Sequence, residues 1–328
     1  MKKVIAVTLL LSLMSAVQAF ACTTILVTKG ASADGSVMVA HSDDSELFDQ
    51  RLVYVPAANH EPGSLRPVYY DASSLGDRPE YHSYTLRRYV GTHRGPDYDD
   101  PKYPQSIPLG YIPQVEHTYA YYDGNYAIMN EHQLMFGECT DGTKIQPDPI
   151  PGKLIFYSAE LSRVAAERCT KAREAVELIG QLIETYGYYG TGETLPIADT
   201  EEGGVIEMAP SPEGKGGLRV ARKVPDGEVF VAANELRIRE VDPDDPDMLF
   251  CKDLHAIAKA QVHPPGEDEQ VREGFGKHQE EYHRKQIEEK EEQGQQENSN
   301  SSQQNEVKES GGTVKGIPGS DFGETYGK

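Results

Sequence analysis

Residues 22–27, Cys22-Thr23-Thr24-Ile25-Leu26-Val27, followed by Ala33-Asp34-Gly35 and then Ser36-Val37-Met38-Val39-Ala40, decide how this chain is read. The first run, continued to Thr28, alternates apolar and polar residues, and both runs are rich in β-branched side chains. An Asp-Gly pair between two such runs signals a hairpin, because glycine accepts the positive φ that a tight turn demands. The hairpin puts Cys22 at the free end of one strand and His41 to Asp44 at the far end of its partner. In an antiparallel pair those ends are neighbours, which brings Asp43 and Asp44 near Cys22.

What precedes Cys22 gives it a second meaning. Lys2 and Lys3, the apolar run Val4 to Val17 and Ala19-Phe20-Ala21 have the pattern of a secretory signal with a small-x-small cleavage site. Cleavage after Ala21 makes Cys22 the first residue of the mature chain, with a thiol and an α-amino group on one residue. A thiol with a pKa of about 8.5 is mostly protonated at neutral pH. An α-amino group titrates at roughly 7.7–8.0 and is a candidate base, which is the arrangement of an N-terminal nucleophile. Two other readings stand beside it. One is an ordinary cysteine next to a cleavage site. The other is the lipidated cysteine of a bacterial lipoprotein, disfavoured by the missing apolar residue at Ala19 and by bulky Phe20.

The chain has 328 residues and a formal net charge of -21, which argues against nucleic acid and anionic membrane surfaces as partners. The apolar run of the signal is too short and wrongly flanked for a lasting membrane span. An exported protein, periplasmic or extracellular, is the expectation. Cys22, Cys139, Cys169 and Cys251 show no CxxC spacing and no His-rich partner pattern, so neither zinc nor another metal or cofactor is indicated. They are also too sparse for a disulfide scaffold. With Cys22 set aside as a nucleophile, an odd three remain, and at least one more thiol is expected to be free.

Residues 56–116 are rich in Pro, Gly, Tyr and Asp and read as long loops with short strands. A β-rich unit spans Thr118 to Glu138 with a turn at Asn130-Glu131-His132. From Ser158 to Tyr186, Leu161, Val164, Ala165, Ala172, Val176, Ile179 and Ile183 recur at helical steps, an amphipathic helix or broken helix pair stopped by Gly187. Further strands follow at Leu195 to Ala198, Gly204 to Met208, Leu218 to Val220 and Val229 to Ala233. Strands, helices and strands again indicate an α+β fold rather than a βαβ repeat. The expected organisation is a signal peptide at 1–21, a domain at 22–262 and an acidic polar tail at 263–328. That tail is mostly disordered, with a short charged helix from Glu267 to Glu292.

Taken in order, several segments resemble the N-terminal-nucleophile cysteine dipeptidases, the group of bacterial dipeptidases and secernins. They are Cys22 to Val27 with Ala33-Asp34-Gly35-Ser36 and Ala40-His41-Ser42-Asp43-Asp44; Gln114 to Tyr119; Met129-Asn130-Glu131-His132-Gln133-Leu134 with Gly137-Glu138-Cys139-Thr140; the Ala166 to Ala175 stretch; Ile197-Ala198-Asp199; and Val224 to Gly227 with Ala233-Asn234-Glu235-Leu236-Arg237-Ile238. The resemblance implies a four-layer αββα sandwich, which a C-terminally shortened member need not complete, since the match fades after Lys259. It implies cleavage of dipeptides, with small peptides as substrates and no cofactor. Cys22 would be the nucleophile and its amine the base. Asn130 and Asn234 would contribute to oxyanion binding and positioning, and Asp44 would hold the α-ammonium group or orient the nucleophile. His41, standing where the family carries Arg, would contact substrate together with Glu131 and Arg237. Glu138 is a second candidate reader of a substrate ammonium. An acylase acting on N-acyl amides, or a non-catalytic exported or lipid-anchored binding protein, would use the same scaffold. The processed protein is expected to begin at Cys22 with a free amine. Intact-mass measurement with N-terminal sequencing checks this, and an acylated Cys22 or another start removes the base.

Overall fold

The computed structural model describes residues 22–44, 51–70, 90–255 and 257. The chain divides into two units, Met1–Gln261 and Val262–Lys328, and all described residues belong to the first. The segments read as a signal peptide (1–21) and polar tail (263–328) lie outside the described residues.

The opening hairpin is present as β1 (Thr23–Val27) and β2 (Met38–Ser42), antiparallel, with Thr24 opposite His41 and Leu26 opposite Val39. Asp34 closes its turn: Oδ1 accepts from the Ser36 amide at 3.0 Å and the Ser36 hydroxyl at 2.7 Å, and Gly35 has a φ of 77°. Short strands then run through the loop-rich region: β3 (Val53–Val55), β4 (Ala58–Asn59), β5 (Leu65–Tyr69), β6 (Pro108–Pro113) and β7 (His117–Thr118). The next unit contains β8 (Tyr121–Asp123), β9 (Ala127–Asn130), β10 (Met135–Phe136) and β11 (Cys139–Asp141).

The helical periodicity resolves into a broken pair, α1 (Ser158–Arg168) and α2 (Ala172–Tyr186). Gly187 stops α2 at a φ of 76°, where an added Cβ would lie 2.2 Å from the Lys153 carbonyl oxygen. The start of α2 depends on a distant residue. Asp199, buried, accepts the Ala172 amide on Oδ2 at 3.0 Å while its Oδ1 takes the amides of Glu201 and Glu202. The remaining strands are β12 (Gly192–Ala198), β13 (Gly203–Pro210), β14 (Gly217–Lys223), β15 (Val229–Ala232) and β16 (Met248–Phe250).

Among the described residues the fold is α+β and mostly sheet. The larger sheet has the order β16-β14-β13-β12-β10-β9-β8-β3, with β11 also paired to β12; the smaller sheet that packs on it is β15-β1-β2, and β4-β7 and β5-β6 form two-stranded pairs. Alternation along β13 sorts the larger sheet's two faces. Ile206 and Met208 join the core that holds Ile179 and Ile183 of α2, whereas Val205 joins the cluster of Leu26, Val37, Ala198 and Val224 under the smaller sheet. Two glycines let β1 approach the larger sheet closely. An added Cβ would lie 2.6 Å from Thr24 Oγ1 at Gly137, and 2.6 Å from Leu26 Cδ1 at Gly203. Pro196 in β12 would be unusual for a central strand. It is accommodated because Gly137 still donates to its carbonyl at 2.9 Å, so the ladder loses only the bond that an N–H would have made.

The helix side of the larger sheet contains a buried ionic network. Arg66 of β5 grips Glu167 through Nε (2.6 Å) and Nη2 (2.8 Å) and reaches Glu160 at 2.9 Å. Glu160 also accepts from Arg94 and, at 3.2 Å, from Arg163, whose Nε meets Asp123 at 2.9 Å. Arg66, Arg94 and Arg163 thus balance Asp123, Glu160 and Glu167, all buried. Breaking such a set from one side leaves an uncompensated buried charge. Arg66→Ala is expected to destabilise the protein by about 3–5 kcal/mol, read from the shift in denaturant midpoint. A loss below about 1 kcal/mol would remove the network from any structural role.

Candidate active site

β1 lies between β15 and β2, and its two registers decide what surrounds Cys22. Thr24 is opposite Ala232 on one side, and Thr23 is opposite Ser42 on the other. Carried on to Cys22, the first register arrives at Asn234 and the second at Asp43. Alternation along β2 agrees: Val39, His41 and Asp43 are half-buried, while Met38, Ala40, Ser42 and Asp44 are exposed. Cys22 Sγ, an Asp43 oxygen and a Glu138 oxygen lie within 4.8 Å of one another. The carboxylate beside the sulfur is therefore that of Asp43, one of the two acids that the hairpin was expected to bring near Cys22. Asp44 turns its side chain to solvent and directs its backbone amide at the Cys22 sulfur.

The environment of that sulfur is acidic. Burial, then the negative charge of Glu138, pushes the Cys22 pKa up to about 12; Asp43 and Glu193 act in the same direction and the Asp44 amide opposes them. Glu138, wholly buried, follows Gly137, the residue on which β1 rests. His41 Nδ1 is 3.4 Å from Glu138 Oε1, and its ring meets Tyr126 edge-on at 6.4 Å. Burial lowers the His41 pKa more than Asp43 raises it. The imidazole is neutral at pH 7, and its contact with Glu138 is a hydrogen bond rather than an ion pair.

Glu193 completes the group and has no counterpart among the sequence candidates. It is wholly buried on β12, and its Oε1 accepts from Tyr157 Oη at 2.5 Å and Tyr126 Oη at 3.2 Å. Its Oε2 has no partner in hydrogen-bonding geometry. Burial, then the charge of Glu138, raises its pKa well above the usual carboxylate range. A further buried acid, Asp141, is raised to about 7, chiefly by burial, although the Thr194 hydroxyl donates to it at 2.6 Å.

The other expected residues divide. Asn234 has a left-handed φ of 53°, a conformation that asparagine tolerates better than most residues. Its Nδ2 donates to the Thr140 carbonyl at 2.5 Å, which leaves one N–H of the carboxamide, and its Oδ1 has no partner. Asn130 is fully used elsewhere. Its Nδ2 donates to the Ala166 and Cys169 carbonyls (2.9 and 2.8 Å), and its Oδ1 accepts the His132 and Leu134 amides, both at 3.0 Å. It fastens the β9–β10 turn to the end of α1 and has no donor left for an oxyanion. Glu131 accepts the Ala120 amide at 2.8 Å, a turn contact. Arg237 pairs with Glu235 at 3.4 Å on an exposed segment, while its backbone amide reaches Glu207. Among the described residues, neither Glu131 nor Arg237 contacts the Cys22 group.

All four cysteines are free thiols. Cys22, Asp43 and Glu138 also have the donor types and spacing to hold a metal ion, which the sequence did not suggest. A cavity between α2 and β13–β14, lined by Val176, Lys223 and Leu249 among others, contains none of these residues.

The sequence profile of peptidase family C69 matches residues 21–86 and 116–294. A probable dipeptidase of Salmonella dublin is 27% identical over 243 residues, 74% of this chain and 49% of that protein. Probable dipeptidase B of Lactococcus lactis subsp. lactis (strain IL1403) is 28% identical over 241 residues, 73% of this chain and 44% of that protein. This chain thus spans about half the length of the curated relatives it matches. Among solved structures, penicillin V acylase from Agrobacterium tumefaciens aligns at a TM-score of 0.30 and 14% identity, over 65% of this chain and 50% of that one.

Because burial and then the Glu138 charge raise the Cys22 pKa, Glu138→Gln is expected to speed alkylation of Cys22 by iodoacetamide at pH 8 several-fold, by roughly the factor of one pKa unit or less. Peptide mass spectrometry follows Cys22 apart from the buried Cys139, Cys169 and Cys251. An unchanged rate shows that the charge does not reach the sulfur.

Proposed function

The chain belongs to peptidase family C69, and on that premise we propose that it is an exported cysteine hydrolase that cleaves the peptide bond of dipeptides with Cys22 as an N-terminal nucleophile. The observation that carries this reading is the placement of Cys22 Sγ at the end of β1, half-buried and within 4.8 Å of Asp43 and Glu138. The helices on one face of the larger sheet and the three-stranded sheet on the other correspond to three successive layers of the αββα arrangement.

A thiol pushed up to about 12 is protonated at neutral pH and needs a base at the moment of attack. The α-amine of a processed Cys22 supplies one on the same residue. As Sγ bonds to the substrate carbonyl carbon, the thiol proton passes to that amine, and the amine then returns it to the departing amino group as the C–N bond breaks. Water releases the acyl group from sulfur by the reverse transfer. The oxyanion formed in both halves needs donors, and the remaining N–H of the Asn234 carboxamide is suited to it. The Asp44 amide, directed at the sulfur, stabilises thiolate character as it develops. Metal ions have no assigned part in these steps.

Parallel assays with free dipeptides and N-acyl amino acids test the reading. Dipeptides are expected to be hydrolysed, Cys22→Ala to lose at least ~10³-fold of the activity, and Asn234→Ala to lower kcat by roughly 10²–10³-fold. Cleavage of blocked amides alone would replace the dipeptidase with an acylase. Turnover undiminished in Cys22→Ala would remove the mechanism.

A further inference from the structure

We propose that the cavity between α2 and the strands β13, β14 and β16 binds a free α-amino acid with an apolar side chain. It shares no residue with the Cys22 group. Binding there is independent of the hydrolysis proposed above.

The cavity forms where the core runs short of side chains. Along β13, Gly204, Ile206 and Met208 share the face turned to α2, and Ile206 and Met208 pack with Ile179 and Ile183. Gly204 has nothing to pack. A Cβ added there would first meet backbone atoms of Arg222 and Lys223, the nearest at 3.2 Å. On the helix, the lining residues Ala172 and Val176 are too small to fill the space. About 370 Å³ is left open, mouth included, within the roughly 300–1,000 Å³ of small-molecule sites. Val176 and Ala221, both buried, and half-buried Leu249, opposite Ala221 in register, give the cavity an apolar floor.

Charges of both signs flank that floor. Lys223 and Glu202 answer each other, Nζ to Oε2 at 2.5 Å. Arg173 and Asp247 do not. The Arg173 Nε meets Glu177 at 3.2 Å, and both Nη atoms donate to the Pro246 carbonyl at 3.4 Å, a long contact. That contact holds the guanidinium beside Asp247, yet the two form no ion pair. Among the described residues the Asp247 carboxylate accepts no hydrogen bond. The Glu202 contact raises the Lys223 pKa, Asp247 adds to it and Arg173 opposes it, as three side chains sharing one small region would.

An α-amino acid matches this arrangement. Its ammonium and carboxylate flank a single Cα, with the nitrogen about 2.5 Å from the carboxyl carbon, so it bridges two neighbouring charges that do not touch. The carboxylate accepts from the two Nη atoms of Arg173 as a fork. The ammonium donates to Asp247, and the side chain covers Val176, Ala221 and Leu249. A simple anion would satisfy Arg173 and leave Asp247 repelling it.

Calorimetry on the full chain tests this with L-leucine, with isocaproate, which lacks the ammonium, and with isoamylamine, which lacks the carboxylate. L-leucine is expected to saturate the protein below about 10 mM, and each analogue to bind at least ~10-fold more weakly. Arg173→Gln and Asp247→Asn, both at exposed positions, are each expected to weaken L-leucine at least ~10-fold. Gly204→Val is expected to abolish binding by filling the space. A thermal melt shows whether Gly204→Val folds, and the two surface variants decide the question if it does not. No saturable binding, equal binding of isocaproate, or L-leucine binding unchanged in both surface variants overturns the proposal. The last of these would place the amino acid elsewhere, as a product beside Cys22 for example. L-leucine has no peptide bond to cleave, so the result stands apart from whether the chain hydrolyses dipeptides.

Discussion

The close approach of β1 to the larger sheet is the constraint on which the site depends. Gly137 and Gly203 remove the side chains that would hold the two sheets apart, and Thr24 and Leu26 occupy the space. Because antiparallel register is set along the whole strand, seating Thr24 and Leu26 also fixes Cys22 two residues earlier. The residue following Gly137 is Glu138, so the contact that seats the strand also brings the acid to the sulfur. Position and electrostatics of the nucleophile thus share one cause.

Local signals made the framework legible. The hairpin followed from alternation around Asp34-Gly35, and the end of α2 from a glycine at the stop of a helical stripe. Asp43 follows from the same logic, since the hairpin brings it near Cys22 and strand parity puts it with His41 on the inner side. Asn130 shows where local signals stop. Its type and motif suit an oxyanion donor, yet four hydrogen bonds commit it to a turn and a helix end. Whether an amide is free depends on partners some forty residues away, and those are invisible in the local sequence. Glu193 had no signal at all. It sits in a strand that is buried at every position, held by tyrosines from β8–β9 and α1 flanks that only the folded chain assembles.

Two groups of buried acids are handled in opposite ways. On the helix side, three carboxylates are matched by three guanidiniums with short contacts, and the arrangement is complete in itself. Around Cys22, Asp43 and Glu138 lie close to the sulfur, burial lowers the His41 pKa, and burial raises that of Glu193. Structural sites satisfy their charges internally.

The ionic network of Arg66, Arg94, Arg163, Asp123, Glu160 and Glu167 has a historical consequence. A buried set of this kind cannot be exchanged for an apolar one by single substitutions, because each first step strands a charge in the interior. The scaffold is therefore harder to alter gradually than the chemistry it carries. A descendant could lose its nucleophile in one substitution and keep the fold, and the arginines would remain as a record of ancestry after the sulfur was gone.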